Sequence, residues 1–307
     1  MKPAFVTLLM ALAVGATAAR QAVSQTPMDN AARDLRGAID IHVHADPDNV
    51  PRSLDGLEAA RFAKDKGMRA IVLKSHFDPT AGLAWLARKA TPGIEVFGGI
   101  DLNLPVGGMN PHAVEHMVRV NGRWGRVVWM STFDAENQLR SKPGVPYVRV
   151  SQDGALLPET KAVIAAIAKH NLVLASGHVS AQEALLMFEE ARRLGVRSMV
   201  ATHGMTAPTS LTIDQARQAA KLGAFIEFTG GSLAGATAQA RLDRAASDIR
   251  SLGVAHAIIS SDLGQAGNAL PAEGFAAFMD ALRKRGFTDR EIDQMAKDNP
   301  ARLLGLN

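Results

Sequence analysis

The chain has 307 residues, 47% of them hydrophobic, a net charge of +4 and no cysteine. That length supports one large α/β barrel or two smaller domains and excludes a disordered or fibrous chain, while the missing thiols exclude disulfides, thiolate ligands and a cysteine nucleophile. The positive charge forms no Lys/Arg-rich run and no basic stripe interleaved with aromatics, so nucleic acid is not an expected partner.

Lys2, an apolar run from about Ala4 to Val14 and small residues from Gly15 to Ala19 form the pattern of a secretory signal peptide over residues 1–19. The apolar run is too short to span a bilayer comfortably, so no membrane span is expected and the protein is placed in the periplasm or outside the cell. Residues 20–34 read as a polar lead-in, and the folded domain is expected over 35–307.

The first strand is Ala38 to Asp46, AIDIHVHAD. Strict alternation along a strand puts Asp40, His42 and His44 on one face and Ile39, Ile41 and Val43 on the other. Two imidazoles at i, i+2 aim at one point, which suits a divalent ion, although two hydrogen-bonded histidines would look the same. A Pro- and Asp-rich loop, Asp46 to Arg52, leads to a helix from Ser53 to Lys66 closed by Gly67. Ala70 to His76, AIVLKSH, is the second strand and carries Lys74 and His76 on one face at its end. A helix from about Ala81 to Lys89 stops at Thr91-Pro92-Gly93, and Ile94 to Asn103 is a third strand ending in Asp101 and Asn103.

Pro111 to Val120 fits a helix and Arg126 to Thr132 a fourth strand, with Asp134 and Glu136 just beyond it. Asn137 to Pro158 breaks the rhythm, and its Asp153-Gly154 pair predicts a small hairpin that covers one mouth of the fold. After a helix from Glu159 to Lys169 the second half is regular. Strands are expected at Leu172–His178, Ser198–His203, Ala224–Thr229 and Ala255–Asp262. Helices open at the capping boxes Ser180/Glu183, Thr212/Gln215 and Thr288/Glu291, and another runs from Ala238 to Ser251.

Eight strands, each followed by a helix or a helix-bearing loop, are the pattern of an α/β fold of the (β/α)₈ TIM barrel type. A doubly wound open sheet is the weaker alternative, because no GxGxxG turn follows the first strand and no Walker lysine motif occurs. No GxSxG elbow supports a Ser-His-Asp hydrolase. In such a barrel the C-terminal strand ends face one mouth, where His42, His44, Lys74, His76, His178, His203 and Asp262 would converge. His112 and His116 read as a solvated helix face, His170 as a helix-end residue, and His256 opens the eighth strand at the wrong end.

The HVH of the first strand, single histidines ending strands five and six, and the SSD ending strand eight resemble the amidohydrolase superfamily of metal-dependent hydrolases. The closing DNPARLLGL is similar to a C-terminal signature of that superfamily. GAIDIHVHADPD, AIVLKSH and GHVSAQEAL are similar to an uncharacterised, amidohydrolase-like bacterial group, over about Leu35 to Leu306. The resemblance implies a zinc-type ion, or another divalent metal, on His42, His44 and His178, with Asp262 as ligand or base. It implies His203 as a ligand of a second ion or as the group polarising the scissile bond. One departure matters: strand four ends in Met130, Ser131 and Thr132, where binuclear relatives carry a bridging lysine or glutamate.

The residues support that chemistry without the analogy. A zinc ion with an open coordination position makes water acidic near pH 7. Asp262 can take the proton and His203 can stabilise an oxyanion, with Asp134 the next candidate base. Asp40 either orients the histidine rings or pairs with Lys74 or a backbone amide. Lys74, beside a dication, must be altered or paired: a carbamate bridging two ions, or an ammonium paired with Asp40, Asp101 or a substrate carboxylate. We expect the unmodified lysine. His76 and Lys74 are candidates for a second ion or for substrate.

The expected function is hydrolysis of an amide, ester, lactone or phosphoester bond in a small molecule, with a pI near 9.5 hinting at an anionic one. The alternatives are a metal-dependent decarboxylase or isomerase of the same superfamily, or a non-catalytic periplasmic metal- or ligand-binding protein. Arg140, Lys142 and Arg149 are candidates for anion recognition or plain solvated surface. Oligomeric state leaves no mark in the sequence.

Overall fold

A computed structural model describes residue 1, residues 27–231 and residues 235–306. Apart from Met1, the stretch expected to be a signal peptide lies outside the described residues. Among the described residues no helix is long and apolar enough to cross a membrane.

Eight short runs of β-branched and aliphatic residues form eight parallel strands: β1 (Ile39–His44), β2 (Ala70–Lys74), β3 (Glu95–Asp101), β4 (Gly125–Trp129), β5 (Val173–Ala175), β6 (Met199–Ala201), β7 (Ala224–Thr229) and β8 (Ala257–Ser260). They pair in chain order. The barrel closes where a parallel bridge joins Val43 to Leu263, Asp262 N–H donates to His42 O (3.0 Å) and His44 N–H donates to Leu263 O (2.9 Å). This is the expected (β/α)₈ barrel, with helices covering the sheet between successive strands.

Outward-facing Ile71, Leu73, Val96, Val128, Leu174 and Ile226 pack under the helices, and inward-facing Ile39, Ile41, Ala70, Val72, Phe97 and Val127 fill the bore. Leu303 and Leu304 close the bore from below. Their helix, Asn299–Leu304, is anchored by buried Asn299, whose Nδ2 donates to Val254 O (2.8 Å) and Ala257 O (2.7 Å) at the entry to β8. Packing of this kind, not helix propensity, holds such short helices.

The three capping boxes at Ser180/Glu183, Thr212/Gln215 and Thr288/Glu291 form, and Asp55/Glu58 adds a fourth. The Asp153-Gly154 pair turns a two-residue hairpin, Ser151–Gln152 with Ala155–Leu156. Two elements differ from expectation. Pro27–Leu35, inside the polar lead-in, is helical and is tied down by Asp34, which accepts from Arg283 Nη2 at 2.7 Å and 2.8 Å. Pro271–Arg283, which was not anticipated, is a 13-residue helix that starts on Pro271 and buries Phe275, Phe278, Met279 and Leu282 at the i, i+3, i+4, i+7 spacing of a helical stripe. Gly274 interrupts it; a Cβ there would lie 2.0 Å from Leu263 Cδ1, so glycine is what lets this helix close on the loop after β8.

Candidate metal centre

His42, His44 and Lys74 lie within β1 and β2, whereas the ladder stops two or three residues short of the other candidate side chains, which ride on the extended ends of the strands. His76 follows β2 by two residues, His178 follows β5 by three, and His203 and Asp262 follow β6 and β8 by two. His203 (φ 31°) and Asp262 (φ 52°) adopt left-handed backbone there, a strain that turns their side chains across the mouth. Gly177 precedes His178 with φ 64°, and a Cβ on it would lie 2.2 Å from Met130 O, so only glycine lets β5 end against β4.

Five of the nine histidines close into a ring of imidazoles. Ring centroids are 5.1 Å apart for His42–His44, 4.9 Å for His44–His76, 6.0 Å for His76–His178, 5.0 Å for His178–His203 and 6.1 Å for His203–His42. They line a cavity of about 610 Å³ together with Arg52, Lys74, Phe133 and Asp262. His112, His116 and His256 are exposed, and His170 pairs with Glu115 (2.9 Å) far from this mouth.

Within the ring, His42 Nε2 and His44 Nε2 each lie 3.2 Å from Asp262 Oδ1. Among the described residues this is the one set of three whose ligand atoms converge, all within 4.8 Å. Two ligands bound at about 2.0–2.1 Å to a tetrahedral ion are about 3.4 Å apart, close to these separations. The outer nitrogen of His42 fits as well. His42 Nδ1 donates to Glu227 Oε1 (3.0 Å), which fixes the tautomer and leaves the Nε2 lone pair aimed inward. His42 Nε2 is buried without a hydrogen bond, so its approach to Asp262 has the geometry of two ligands facing one point. The residues present therefore fit a divalent ion.

His178 does not join that set. Its Nε2 faces His203 Nε2 at 3.2 Å, while its Nδ1 donates to Gln138 Oε1 (2.6 Å). Of the four ligands expected from the sequence, His42, His44 and Asp262 thus stand together, while His178 pairs with His203 on the other side. The cause is topological: β5 and β6 are neighbours, whereas β1 and β8 meet at the barrel seam.

Electrostatics sort the groups by role. Burial lowers His42, yet the carboxylates of Asp262 and Glu227 raise it above the ordinary imidazole value overall. Burial opposes ionisation of Asp262 and Glu227 too, and the imidazoles nevertheless hold both below the usual carboxylate range. The carboxylates draw positive charge to this point. Burial, with nearby cations, pushes His44, His76 and His178 down, and burial pushes His203 down. These imidazoles are neutral, the form that ligates metals.

Glu227 was not anticipated. It projects from the inward face of β7, buried to 2%, and receives Ser260 Oγ (2.6 Å) and His203 N–H (2.8 Å) besides His42. A lone glutamate inside the apolar run AFIEFT was the available signal, since a buried carboxylate needs a partner.

Asp40 takes the second of its two expected roles, as an acceptor for backbone amides. A register shift between Asp40 and Val43 breaks the alternation of β1, so His42 and His44 face the bore while Asp40 lies on the helix side beside Val43, Ile71 and Ala63. Its Oδ1 accepts from the backbone N–H groups of His42 and Ser261 (both 3.1 Å), pinning the seam, and burial raises its pKa to about 6.

Lys74 Nζ lies 3.3 Å from Asp101 Oδ2, within reach of the ion pair expected for an unmodified lysine, and 5.4 Å from the Trp129 ring centroid. Asp101 Oδ2 also accepts from Thr132 Oγ1 (2.9 Å). Asn103 accepts from Ser131 Oγ (2.9 Å) and from the backbone N–H of Thr132 (2.8 Å). The end of β4 therefore serves as scaffold, consistent with its lack of a bridging ligand. His76 Nδ1 is engaged by Thr132 Oγ1 (2.9 Å), and its ring stacks on Phe133 (3.7 Å, 14°).

Asp134 lies outside the cavity lining, accepting from Leu104 N–H (2.8 Å). Arg140 and Arg149 line a separate surface groove, where Arg149 pairs with Glu136 (3.2 Å).

A model of a family of unknown function, DUF6282, matches residues 37–227. The chain belongs to this family. The DUF6282 match takes in His42, His44, Lys74, His76, His178, His203 and Glu227 and ends before Asp262. No curated protein sequence matches the chain. Three solved structures have the same barrel. An amidohydrolase from Pseudomonas aeruginosa superposes with a TM-score of 0.61 at 15% identity, over 91% of this chain and 98% of its own. An organophosphorus hydrolase from Deinococcus radiodurans gives 0.55 at 18% identity, over 90% and 94%. A 2,6-dihydroxybenzoate decarboxylase gives 0.54 at 13% identity, over 88% and 100%. This DUF6282 chain thus has the fold of the amidohydrolase-type (β/α)₈ barrels.

Proposed function

We propose that the protein is a metal-dependent hydrolase of the amidohydrolase superfamily that cleaves an amide, ester, lactone or phosphoester bond of a small molecule. The observation that carries this reading is the convergence of His42 Nε2 and His44 Nε2 on Asp262 Oδ1 at 3.2 Å, inside the ring of imidazoles at the C-terminal mouth. His42, His44 and Asp262 would hold zinc or another divalent ion. When bound, that ion supplies a Lewis acid able to activate water near neutral pH. Glu227 keeps His42 in register for this task. Asp262 presents one oxygen to the imidazoles, and the carboxylate can take the proton of the attacking water and return it to the leaving group. His203, neutral and buried, can donate an N–H to the developing oxyanion. The hydrolases among the structural relatives support the class of reaction. Export from the cytoplasm belongs to the same proposal, and N-terminal sequencing of mature protein from a periplasmic extract tests it.

The test is elemental analysis of purified protein together with turnover on lactones, esters, amides, phosphoesters and aryl carboxylates. We expect bound divalent metal and metal-dependent hydrolysis of one bond class. Metal-dependent release of CO₂ from an aryl carboxylate, without hydrolysis, would replace the hydrolase by a decarboxylase.

A further inference from the structure

The cavity above the imidazole ring holds one strong hydrogen-bond donor that neither the barrel nor the metal centre uses. Arg52 sits in the loop after β1, and its side chain is only 3% exposed. Its Nε (2.9 Å) and Nη2 (2.6 Å) both donate to a single oxygen, Asp48 Oδ2, of a carboxylate that is itself fully buried. A guanidinium has five N–H groups in a rigid fork. Two are thereby occupied, no described residue receives the two on Nη1, and Arg52 lines the 610 Å³ cavity. Nη1 is open to that cavity, so an incoming acceptor can reach it without displacing a protein partner.

The loop is not free to take the guanidinium elsewhere. Arg52 bridges Gln265 in antiparallel fashion, and Ser53 N–H donates to Gly264 O (2.8 Å). Gln265 lies three residues beyond Asp262, so the segment that carries the catalytic carboxylate also fixes Arg52. Its charge reaches across the mouth far enough to help hold His76 neutral.

We propose that Arg52 binds a carboxylate on the substrate, so that the enzyme selects a carboxylate-bearing small molecule and orients its scissile bond over His42, His44 and Asp262. This rests on the hydrolase reading of the site. A planar carboxylate matches the free Nη1–Nη2 edge bidentately. Asp48 already offsets the guanidinium's charge and Lys74 is taken by Asp101, so what the wall offers a carboxylate is the free N–H edge, with no spare cation for a dianion. A phosphate dianion would need more cations than this wall presents. Val50 and Phe133, in the same lining, offer apolar surface to the carbon skeleton between the two ends.

The test uses the full metal-loaded chain and two isosteric probes, the monoanion glutaramate and its neutral diamide glutaramide, titrated calorimetrically into wild type, Arg52→Gln and Arg52→Lys, with metal content and thermal unfolding recorded for each. We expect wild type to bind glutaramate at least about tenfold more tightly than glutaramide, the strength of a charge-assisted pair. Arg52→Gln should lose about tenfold to hundredfold of the glutaramate affinity, leave glutaramide unchanged and retain its metal. Arg52→Lys, which keeps the charge without the fork, should fall between them and decides the matter should the glutamine variant not fold. Glutaramate affinity unchanged in the folded variants, or no preference for glutaramate in wild type, overturns the proposal. Failure of every preparation to bind metal defeats the hydrolase reading instead, and the glutaramate titration still scores Arg52.

Discussion

The two halves of the barrel bore are equally buried and built from opposite chemistry. Below the level of His42 the strands turn Ile39, Ile41, Ala70, Val72, Phe97 and Val127 inward, and Leu303 and Leu304 close the end. Above it the same strands turn His42, Lys74, Asp101, Glu227 and Ser260 inward, each 2% exposed or less. The lower half gains free energy from every contact. The upper half sets buried charges against one another, and orphaned atoms gather there: His42 Nε2, His44 Nδ1, Asp101 Oδ1 and His203 Nδ1 have no hydrogen bond. Each such group costs about 1–3 kcal/mol. A fold keeps a layer like that where function needs it, and the apolar layer beneath holds it in place.

This contrast can be broken at the upper end first. His42→Ala removes a converging ligand, and we expect metal and turnover to disappear together while the thermal midpoint of the metal-free protein stays near that of wild type. Full metal occupancy in that variant, measured by elemental analysis, would move the site elsewhere. Asp262→Asn should keep the fold and lose about 10²–10⁴-fold in kcat, since an amide cannot take the water's proton. Near wild-type turnover would assign the base to another residue.

At the lower end the signs reverse. Phe97→Ala leaves a cavity beneath the metal layer and should cost about 3–5 kcal/mol of stability while metal stoichiometry is unchanged. If denaturant unfolding showed no loss, the lower half would not be the supporting layer.

The smallest effect sharpens the boundary between core and site. Burial raises Asp40 to about 6, so the folded chain holds a proton that the unfolded chain has released. Stability should therefore fall as pH rises from about 4 to about 6. Asp40→Asn keeps the oxygen that accepts from His42 and Ser261 and removes the charge, so its melting temperature relative to wild type should climb over that window. A constant difference across the window would contradict the buried, destabilised carboxylate.

Much of this was legible in the sequence because the barrel repeats one signal eight times, and the helix caps and glycine stops mark its punctuation. The histidines were legible because a polar residue at the end of an apolar run is conspicuous. Three features were not. The bulge in β1 moves Asp40 to the helix side, and alternation alone cannot show a one-residue shift. Glu227 lay inside a strand, where a single charge among apolar residues has no partner visible in one dimension. Arg52 ended a Pro- and Asp-rich loop, and only the fold reveals that its side chain is buried against the mouth while Arg140 and Arg149 line a different groove.

The most direct test of the account is the metal content of full-length protein after exhaustive desalting, compared between wild type, His42→Ala and Asp40→Asn, each with and without bicarbonate during zinc loading. The account expects one tightly held ion per chain in wild type and in Asp40→Asn, none in His42→Ala, and no dependence on bicarbonate because Lys74 is paired with Asp101. Metal retained in His42→Ala would contradict the centre described here, and a second ion appearing only with bicarbonate would replace the Lys74–Asp101 pair by a carbamate.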